Sequence, residues 1–413
     1  MKNLLLLGGG NCQRSAARYA ASQGVTVTLV DYTLHPPAAQ YAAAHIPVST
    51  FDIEGCIQAA RTSHADGIMT LGTDQPVYTA AYVSRQLGLP SLITPETALC
   101  VTNKQIMKQR MTQYGIPTVP YRFLQEGDTA AALEGLAGPY VIKPLDSQGQ
   151  RGIFLLDSAE DVAAHIPQTL RFSRTNTVLV ESFYPSDEVT VSAWVENGRV
   201  FMLTITDRLL YPDPKHIGVC IGHRFPSVHL HQHLQMQSIC EQLCKACRIE
   251  NGPLYVQLLI GSHGICVNEL ACRIGGAFED FFIPYISGFD ILDAVMRSAL
   301  GEPVDCSTLH SYHVSKATRQ VAAQLLFCRS GTIANITPEE ELRSLPFVLD
   351  AGFNYQPGQT IPAMENATAR FGHAVLVAQS KEEMQQCIQQ FYQILRVTDA
   401  SGKDMLTRLY PMI

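Results

Sequence analysis

The sequence lacks the features that mark nucleic-acid-binding, exported and membrane-spanning proteins. Its 30 Lys and Arg are outnumbered by 37 Asp and Glu, so the formal net charge is −7 and the pI is near 6.0. No block of basic residues offsets this charge, and we therefore expect neither nucleic acid nor a membrane surface as a partner. No apolar run approaches the roughly 20 residues of a bilayer-spanning helix, and the leucines that follow Lys2 are too few for a signal peptide. These absences predict a soluble, cytoplasmic protein.

The chain also lacks internal repeats, low-complexity linkers and an export signal. Its 12 cysteines are therefore expected to be reduced thiols rather than a disulfide framework. With 413 residues, 46% of them hydrophobic, the chain is long enough for two or three domains with substantial cores.

The first hundred residues have the pattern of a small open α/β sheet. The apolar run 3–7 predicts a buried strand, the three glycines 8–10 a turn, and the run 25–30 a second buried strand that ends at Asp31. A glycine loop followed by an acidic residue also fits a dinucleotide-binding dehydrogenase. Gln13, however, stands where that fingerprint has its third glycine, so a plain turn or an anion pocket is favoured.

Two lysines lie at positions suited to anion binding. A helix is predicted over about 102–114 with Thr102 as its N-cap, which puts Lys104 in the first turn. Lys143 ends the strand 139–144, and the polar loop 146–152, which holds two glycines, follows at once. Backbone N–H groups in such a loop can approach a phosphate closely.

A carboxylate, an arginine and two glycines follow one another in the segment 267–276. A strand that carries Glu269 can direct it at a hard cation, while Arg273 can face the anion that the cation polarises. The preceding stretch from Asp207 to His223 holds two prolines and is expected to form a loop along a substrate pocket. His216 in that loop is a candidate substrate ligand.

Taken in order, these motifs resemble the ATP-grasp superfamily of carboxylate–amine ligases. Within it the chain is similar to the branch of carbamoyl-phosphate-synthase-like proteins and L-amino-acid ligases, and the resemblance covers nearly the whole chain. The motifs that carry it are Lys104, the strand end at Ile142-Lys143-Pro144 with its glycine loop, Glu181-Ser182-Phe183, Glu188, and the segment from Asn268 to Gly276.

The resemblance implies that ATP binds between two sheets. Lys104 and Lys143 would reach its phosphates as positive charges. The loop from Ser147 through Gly149 to Gly152 would cover the β- and γ-phosphates with backbone N–H groups.

The adenosine end of ATP would contact the next two motifs. The segment from Glu181 to Phe183 would form the hinge whose backbone pairs with the adenine edge. Glu188 would accept hydrogen bonds from the ribose hydroxyls.

The resemblance also implies a Mg²⁺ ion, with Mn²⁺ as an alternative, held by Glu269. The family usually has an acidic residue on the preceding strand, where this chain has Gln257, and often Asn where this chain has Ala271. Gln257 is then the second candidate ligand, and a second metal ion is in question.

The expected catalytic residues are Arg273, Lys143 and Glu269. Arg273 would stabilise the acyl phosphate and the tetrahedral intermediate. Arg273, Gly275, Gly276 and His216 are the candidate substrate-binding residues.

The expected fold is α/β to α+β and has three parts. An N-terminal open parallel α/β domain spans 1–99, and an ATP-grasp nucleotide-binding region spans 100–305, with a flexible lid at about 115–190. A C-terminal α+β domain spans 306–413 and completes the module.

The expected function is an ATP-dependent carbon–nitrogen ligase that joins a carboxylate, expected to be that of an amino acid, to an amine through an acyl phosphate. A purine-biosynthetic ligase or carboxylase remains an alternative, as does a nucleotide-binding protein with weakened turnover. The partners are small-molecule carboxylates and amines, and a homodimer is a candidate assembly.

Overall fold

The N-terminal part of the computed structural model, which describes residues 1–410, is a parallel sheet flanked by helices. The strands are β1 (Asn3–Leu7), β2 (Thr26–Val30), β3 (Ala44–Ile46) and β4 (Gly67–Met69), in the order β3-β2-β1-β4. The helices are α1 (Asn11–Ser22), α2 (Ile53–Thr62), α3 (Gln75–Leu87) and α4 (Pro95–Thr102). Leu4 and Leu6 of β1 pack into one core cluster and Leu5 and Leu7 into another, because helices cover both faces of the sheet.

The helix predicted over 102–114 is divided in two, and its predicted cap is wrong. Thr102 ends α4, and α5 (Lys104–Gln113) starts one residue after Asn103. The Asn103 side chain accepts hydrogen bonds from the backbone amides of Gln105 and Ile106, so Asn103 is the N-cap of α5. Lys104 nevertheless lies in the first turn of the helix, as predicted.

A small antiparallel sheet follows as a separate layer. Its strands are β5 (Tyr121–Gln125), β6 (Tyr140–Pro144), β7 (Phe154–Leu156) and β8 (Thr177–Ser182), in the order β5-β8-β6-β7, and α6 (Ala159–Leu170) packs on it. The sheet lies inside the range predicted for the lid. The next strand crosses the predicted boundary at residue 190 and belongs to a different sheet.

A large sheet runs through the rest of the chain. Its central strands are β9 (Ser186–Glu196), β10 (Arg199–Leu210), β11 (Cys220–Phe225), β12 (Gly252–Gly261) and β13 (Gly264–Ala271). The helices of this region are α7 (His233–Cys247), α8 (Glu279–Ser287) and α9 (Ile291–Ala299). A hairpin turn at 196–198 joins β9 to β10. His223, by contrast, is buried in β11 rather than in the expected loop, and Asp207 and Arg208 lie in β10.

The elements of the C-terminal part of the chain are β14 (Gln320–Cys328), β15 (Gly331–Thr332), β16 (Asn335–Ile336), β17 (Val348–Phe353), β18 (Thr360–Ile361), β19 (Gly372–Ala378), β20 (Val397–Thr398) and β21 (Leu406–Thr407), with helices α10 (Glu339–Arg343) and α11 (Lys381–Ile394). Among these strands, β14, β17 and β19 extend the same sheet and β21 pairs with β14, whereas β15 pairs with β18 and β16 with β20 in separate two-stranded sheets. The sheet order is β13-β12-β9-β10-β11-β14-β19-β17, so β14 joins the C-terminal strands to β11. This mixed α/β and α+β architecture is the predicted fold class.

Short 3₁₀ turns connect several elements. They are Pro37–Tyr41, Ala130–Leu133, Pro214–His216, Leu230–Gln232, Ser307–His310, Val314–Lys316 and Ala367–Ala369. Across residues 1–410, no helix combines the length and apolar character needed to cross a bilayer.

Candidate active site

One large cavity, of about 1100 Å³, lies where the N-terminal loops, the small sheet and the large sheet meet. Most of the predicted site residues line it, although they come from distant parts of the sequence. These lining residues are Lys104, Lys143, Ser147, Gly149, Glu181, Phe183, Glu188, Gln257, Glu269, Arg273 and Gly276.

Three predicted site residues do not line the cavity. Gly152 stands beside Phe172, and Gly275 stands beside the carboxylate of Glu279. His216 lies in a 3₁₀ turn, where Nδ1 is 3.3 Å from the Glu365 carbonyl oxygen and the ring packs edge-on to Tyr211. Gly152 and Gly275 therefore make room for neighbouring side chains, and His216 lies outside the lining of the cavity.

Glu181 is held between two lysines. Its carboxylate oxygens lie 2.6 Å from Lys108 Nζ and 2.6 Å from Lys143 Nζ, and the side chain is buried. Burial favours its neutral form, but the two ammonium groups outweigh that effect and lower the pKa of Glu181 to about 2. Glu181 therefore fixes the position of Lys143 at the cavity.

The two predicted phosphate lysines occupy neighbouring parts of the cavity. Lys143 Nζ also donates to Asn268 Oδ1 at 3.1 Å, which connects β6 to β13. Lys104 Nζ lies 3.4 Å from the Ser147 carbonyl oxygen and 4.0 Å from Glu269 Oε2. Ser147 Oγ is buried and has no hydrogen-bond partner within residues 1–410. This hydroxyl, which lacks a partner among those residues, belongs to a cavity that Lys104 and Lys143 also line, a combination that suits a phosphate.

The predicted adenine hinge has one backbone group already engaged. The Phe183 amide donates to the Pro139 carbonyl at 2.7 Å, while its side chain lines the cavity. In this conformation another backbone group of the segment would have to contact the adenine.

Glu188 is bound within the protein rather than free at the cavity edge. Its Oε2 accepts from Arg208 Nη1 at 2.5 Å and from Gln257 Nε2 at 2.6 Å. Arg208 also donates to the Gly218 carbonyl at 2.9 Å. A contact between Glu188 and ribose hydroxyls would have to use its other oxygen or displace one of these donors.

Glu269 and Gln257 are directly opposite each other on the adjacent strands β13 and β12. Burial favours the neutral form of Glu269, but Lys104, Lys143, Arg273 and Arg208 together outweigh it, so the pKa of Glu269 lies below its ordinary value. Glu269 therefore remains a carboxylate near neutral pH.

The donor set around Glu269 fits Mg²⁺ bound jointly with phosphates. Carboxylate and amide oxygens of Glu269 and Gln257 are hard ligands of the kind that Mg²⁺ takes. Within residues 1–410 no group of three or more His, Cys, Asp or Glu side chains is arranged to hold a metal ion by itself. Mg²⁺ commonly completes its shell with nucleotide phosphates and water, so a site with few protein carboxylates is consistent with that ion.

Arg273 is paired with Asp74, at the N-terminus of α3. Its Nε and Nη2 lie 2.7 Å and 2.6 Å from Asp74 Oδ1, and its guanidinium stands 4.5 Å from the centre of the Tyr255 ring. The guanidinium is buried yet lines the cavity. This arrangement fixes its orientation, and its charge is directed at the space between the N-terminal part and the large sheet.

The glycine loop 146–152 lines the cavity with its residues 147–151 and contacts two other parts of the chain. With its amide oriented to satisfy its neighbours, the Gln148 side chain accepts from the backbone amides of Asp74 and Gln75. The Gly149 carbonyl accepts from the Ala367 amide at 3.2 Å. These contacts hold the loop at the side of the cavity where the phosphates are predicted to bind.

Asp31 stabilises the glycine turn 8–10 of the N-terminal part through hydrogen bonds to the backbone. The Asp31 carboxylate accepts from the amides of Gly9 at 2.7 Å and Thr33 at 2.8 Å. Because both oxygens are used in this way, Asp31 is not presented to a ribose, as the dehydrogenase alternative would require.

Three further residues of the site, Lys108, Glu279 and Arg370, were not anticipated from the sequence, and Arg208 was expected only in a loop along the substrate pocket. Lys108 and Arg208 neutralise Glu181 and Glu188, whereas Glu279 and Arg370 line the cavity from α8 and from the residues before β19. The i, i+4 spacing from Lys104 to Lys108 on one helix was a usable signal. Glu279 and Arg370, and the pairing of Arg208 with Glu188, depend on tertiary contacts that no local sequence pattern indicates.

Comparisons with known proteins agree with this geometry. Residues 102–277 match the phosphoribosylglycinamide synthetase ATP-grasp (A) domain, and residues 323–399 match the L-amino acid ligase C-terminal domain 2. The L-arginine-specific L-amino acid ligase of Bacillus subtilis is 23% identical over 321 residues, which covers 76% of this chain and 75% of the relative.

Two further proteins are similar over different shares of the chain. Dapdiamide A synthase of Enterobacter agglomerans is 22% identical over 274 residues, or 62% of each chain. The crystal structure of L-amino acid ligase from Bacillus licheniformis superposes with a TM-score of 0.80 at 20% identity, covering 96% of this chain and 98% of that one. Residues 102–277 are thus an ATP-grasp domain, and the chain as a whole is similar to the L-amino acid ligases.

Proposed function

We propose that this protein is an ATP-dependent ligase that joins the carboxylate of an amino acid to an amine, releasing ADP and phosphate. The observation that carries the proposal is that one cavity is lined by Lys104, Lys143, Glu269 and Arg273 together with residues of the glycine loop 146–152. The names of the relatives support peptide-bond formation as the class of reaction.

The phosphate end of ATP would lie against Lys104, Lys143 and the free Ser147 hydroxyl. Mg²⁺, held by Glu269 and Gln257, would neutralise charge on the phosphates. Lys143 is fixed by Glu181 and Asn268, so its ammonium group is oriented before the nucleotide arrives. Such preorganisation lowers the cost of orienting charges during phosphoryl transfer.

The substrate carboxylate would attack the γ-phosphate and form an acyl phosphate. Arg273 lines the same cavity and would stabilise the oxyanion that forms when an amine adds to the acyl carbonyl. The closed glycine loop would exclude water, which otherwise hydrolyses the acyl phosphate.

A purine-type ligase is the second candidate, because the match at 102–277 is to a phosphoribosylglycinamide synthetase domain. The C-terminal match is instead to an L-amino acid ligase domain. The C-terminal strands also contribute residues such as His373 to the cavity wall, so they would take part in choosing the substrate. We therefore favour the amino acid ligase.

The test is phosphate release from ATP and Mg²⁺ across a panel of paired amino acids and amines. We expect release that requires both members of a pair, together with formation of the coupled product. Release with a ribosyl-phosphate amine and glycine, but with no amino acid pair, would establish the purine-type reaction instead. A chain that does not bind ATP would refute both proposals.

The phosphate-release experiment does not address oligomeric state or cellular location. A homodimer and a cytoplasmic location remain predictions from the sequence.

A further inference from the structure

Glu279 is a buried carboxylate that the scheme above does not use. Its side chain is 1% exposed, at the start of α8, and it lines the cavity. One oxygen, Oε2, accepts from the Ala277 amide at 2.8 Å. The other, Oε1, is buried and has no hydrogen-bond partner within residues 1–410. A buried carboxylate oxygen without a donor is costly, which points to a cationic or hydrogen-bonding group that arrives with the substrate.

The backbone before α8 directs this carboxylate toward Arg273. The Glu279 side chain folds back across Gly275, and a Cβ at position 275 would overlap both carboxylate oxygens. Gly275 therefore makes room for Glu279 two residues after Arg273. The sequence suggested that Gly275 contacts the substrate, whereas in the structure Gly275 accommodates the Glu279 side chain.

The charges around Glu279 come from several elements. Arg273 and Arg370 favour its ionised form, whereas Asp280 opposes it. Tyr255 and Cys12 are the other titratable groups within its influence. Burial outweighs the two arginines and raises the pKa of Glu279 above its ordinary value. A carboxylate of raised pKa is a better proton acceptor than an ordinary one.

We infer that Glu279 binds the ammonium group of the amine substrate through Oε1 and accepts its proton before the new bond forms. The inference rests on the proposed ligase function. It identifies the second substrate as a primary amine that enters the site in its ammonium form.

The protons and electrons balance as follows. The ammonium group transfers one proton to the Glu279 carboxylate, which becomes a carboxylic acid, and the free amine keeps its lone pair. That pair forms the C–N bond at the acyl carbonyl, and the C–O bond to phosphate breaks with its electrons on the leaving phosphate. The nitrogen loses a second proton to that phosphate, and Glu279 returns its proton to solvent after product release.

The experiment compares two nucleophiles in wild-type protein and in Glu279→Gln. One is an amine that the wild type couples and that is an ammonium ion at neutral pH. The other is hydroxylamine, which is largely uncharged at that pH and traps acyl phosphates as hydroxamates without prior deprotonation. Glutamine keeps the size of the side chain and the acceptor for the Ala277 amide, and it removes the charge.

We expect Glu279→Gln to slow coupling of the amine by about 10²-fold or more, in line with the loss of a general base. Hydroxamate formation should stay within a few-fold of wild type. Asp280→Asn is the matched control, because Asp280 is the adjacent buried carboxylate and does not line the cavity. This control should change the two rates by the same small factor.

Three results would overturn the inference. Equal slowing of both reactions by Glu279→Gln would show a general structural role, and unchanged rates would show no role. A wild-type protein that forms neither the amide nor the hydroxamate would refute the proposed function itself. Circular dichroism and ATP binding by the variant verify that the protein compared is folded.

Discussion

Arg273 and Asp74 form an ion pair in which two guanidinium nitrogens lie 2.7 Å and 2.6 Å from one carboxylate oxygen. The pair joins the segment after β13 to the start of α3, and so couples the large sheet to the N-terminal part. An arginine held in this way presents a fixed charge to the cavity, at the place where the acyl group would be attacked.

Replacement of Arg273 by lysine should therefore impair catalysis more than folding. Lysine keeps a positive charge but loses the two-nitrogen contact with Asp74 and the stacking over Tyr255. We expect kcat to fall by about 10²-fold or more, with the thermal midpoint little changed. Steady-state kinetics and a melting curve measure the two effects. Arg248→Lys, at the C-terminal end of α7, is the control, and a similar fall there would contradict a specific role.

Replacement of Glu269 by glutamine should remove turnover and leave the fold intact. The substitution takes away the carboxylate expected to bind Mg²⁺ while keeping nearly the same shape. Phosphate release with a productive substrate pair should drop by about 10²-fold or more. Glu250→Gln, at an exposed position before β12, is the matched control. Full activity of Glu269→Gln would show that the metal assignment is wrong.

Replacement of Gln257 by glutamate should make stability depend on metal and nucleotide. The new carboxylate would stand beside Glu188, to which Gln257 now donates at 2.6 Å, and opposite Glu269. Arg208 and Lys104 already pair with Glu188 and Glu269, so without Mg²⁺ the third carboxylate lacks a cation of its own and we expect the unliganded variant to lose about 1–3 kcal/mol of stability. Mg²⁺ with ATP should restore more stability to this variant than to wild type. Thermal unfolding with and without Mg·ATP tests this, and equal shifts in both proteins would contradict it.

Removal of Lys108 should destabilise the protein strongly. Lys108→Met leaves Glu181 buried with one lysine instead of two, and loss of a buried ionic partner costs about 3–5 kcal/mol. Lys108→Met combined with Glu181→Gln should be less destabilised than the sum of the two single variants. Urea unfolding of the four proteins gives the coupling free energy, and strict additivity would contradict the proposed pairing.

The ion pairs of Glu181 with Lys108 and Lys143 also predict how the stability of the protein depends on pH. The pKa of Glu181 is about 2 in the folded protein, below the ordinary value of 4.5, so the folded state holds its proton less tightly than the unfolded chain. Its contribution to stability is present above about pH 4.5 and is lost as the pH falls toward 2. The stability of wild type should therefore fall more steeply over this range than that of Glu181→Gln. Parallel curves in urea unfolding from pH 5 to pH 3 would contradict the lowered pKa.

Local patterns were enough for the elements that carry the strongest signals. The strand at Leu4–Leu7, the helix 75–87 with its left-handed cap at Gly88, and the hairpin turn at Asn197 and Gly198 all follow from apolar runs and turn residues. Helix α2 and strand β17 were missed, and so were α6, α8 and α9. Their amphipathic patterns are short, and packing against the sheets stabilises them more than local propensity does.

The order of motifs along the chain predicted that Lys104, Lys143, Glu269 and Arg273 belong to one site, and all four line the same cavity. Each stands at the end or start of an element, beside glycines or a loop, where polar side chains reach a ligand. What only the tertiary structure decided is how each charge is neutralised. Lys108 against Glu181 and Asp74 against Arg273 are separated by 73 and 199 residues in sequence, and Glu279 has a free oxygen because of how the chain folds at Gly275. Residue type and local spacing determine which groups can ionise or bind a ligand. Burial and long-range pairing determine which of these groups retain an unpaired polar atom at the cavity.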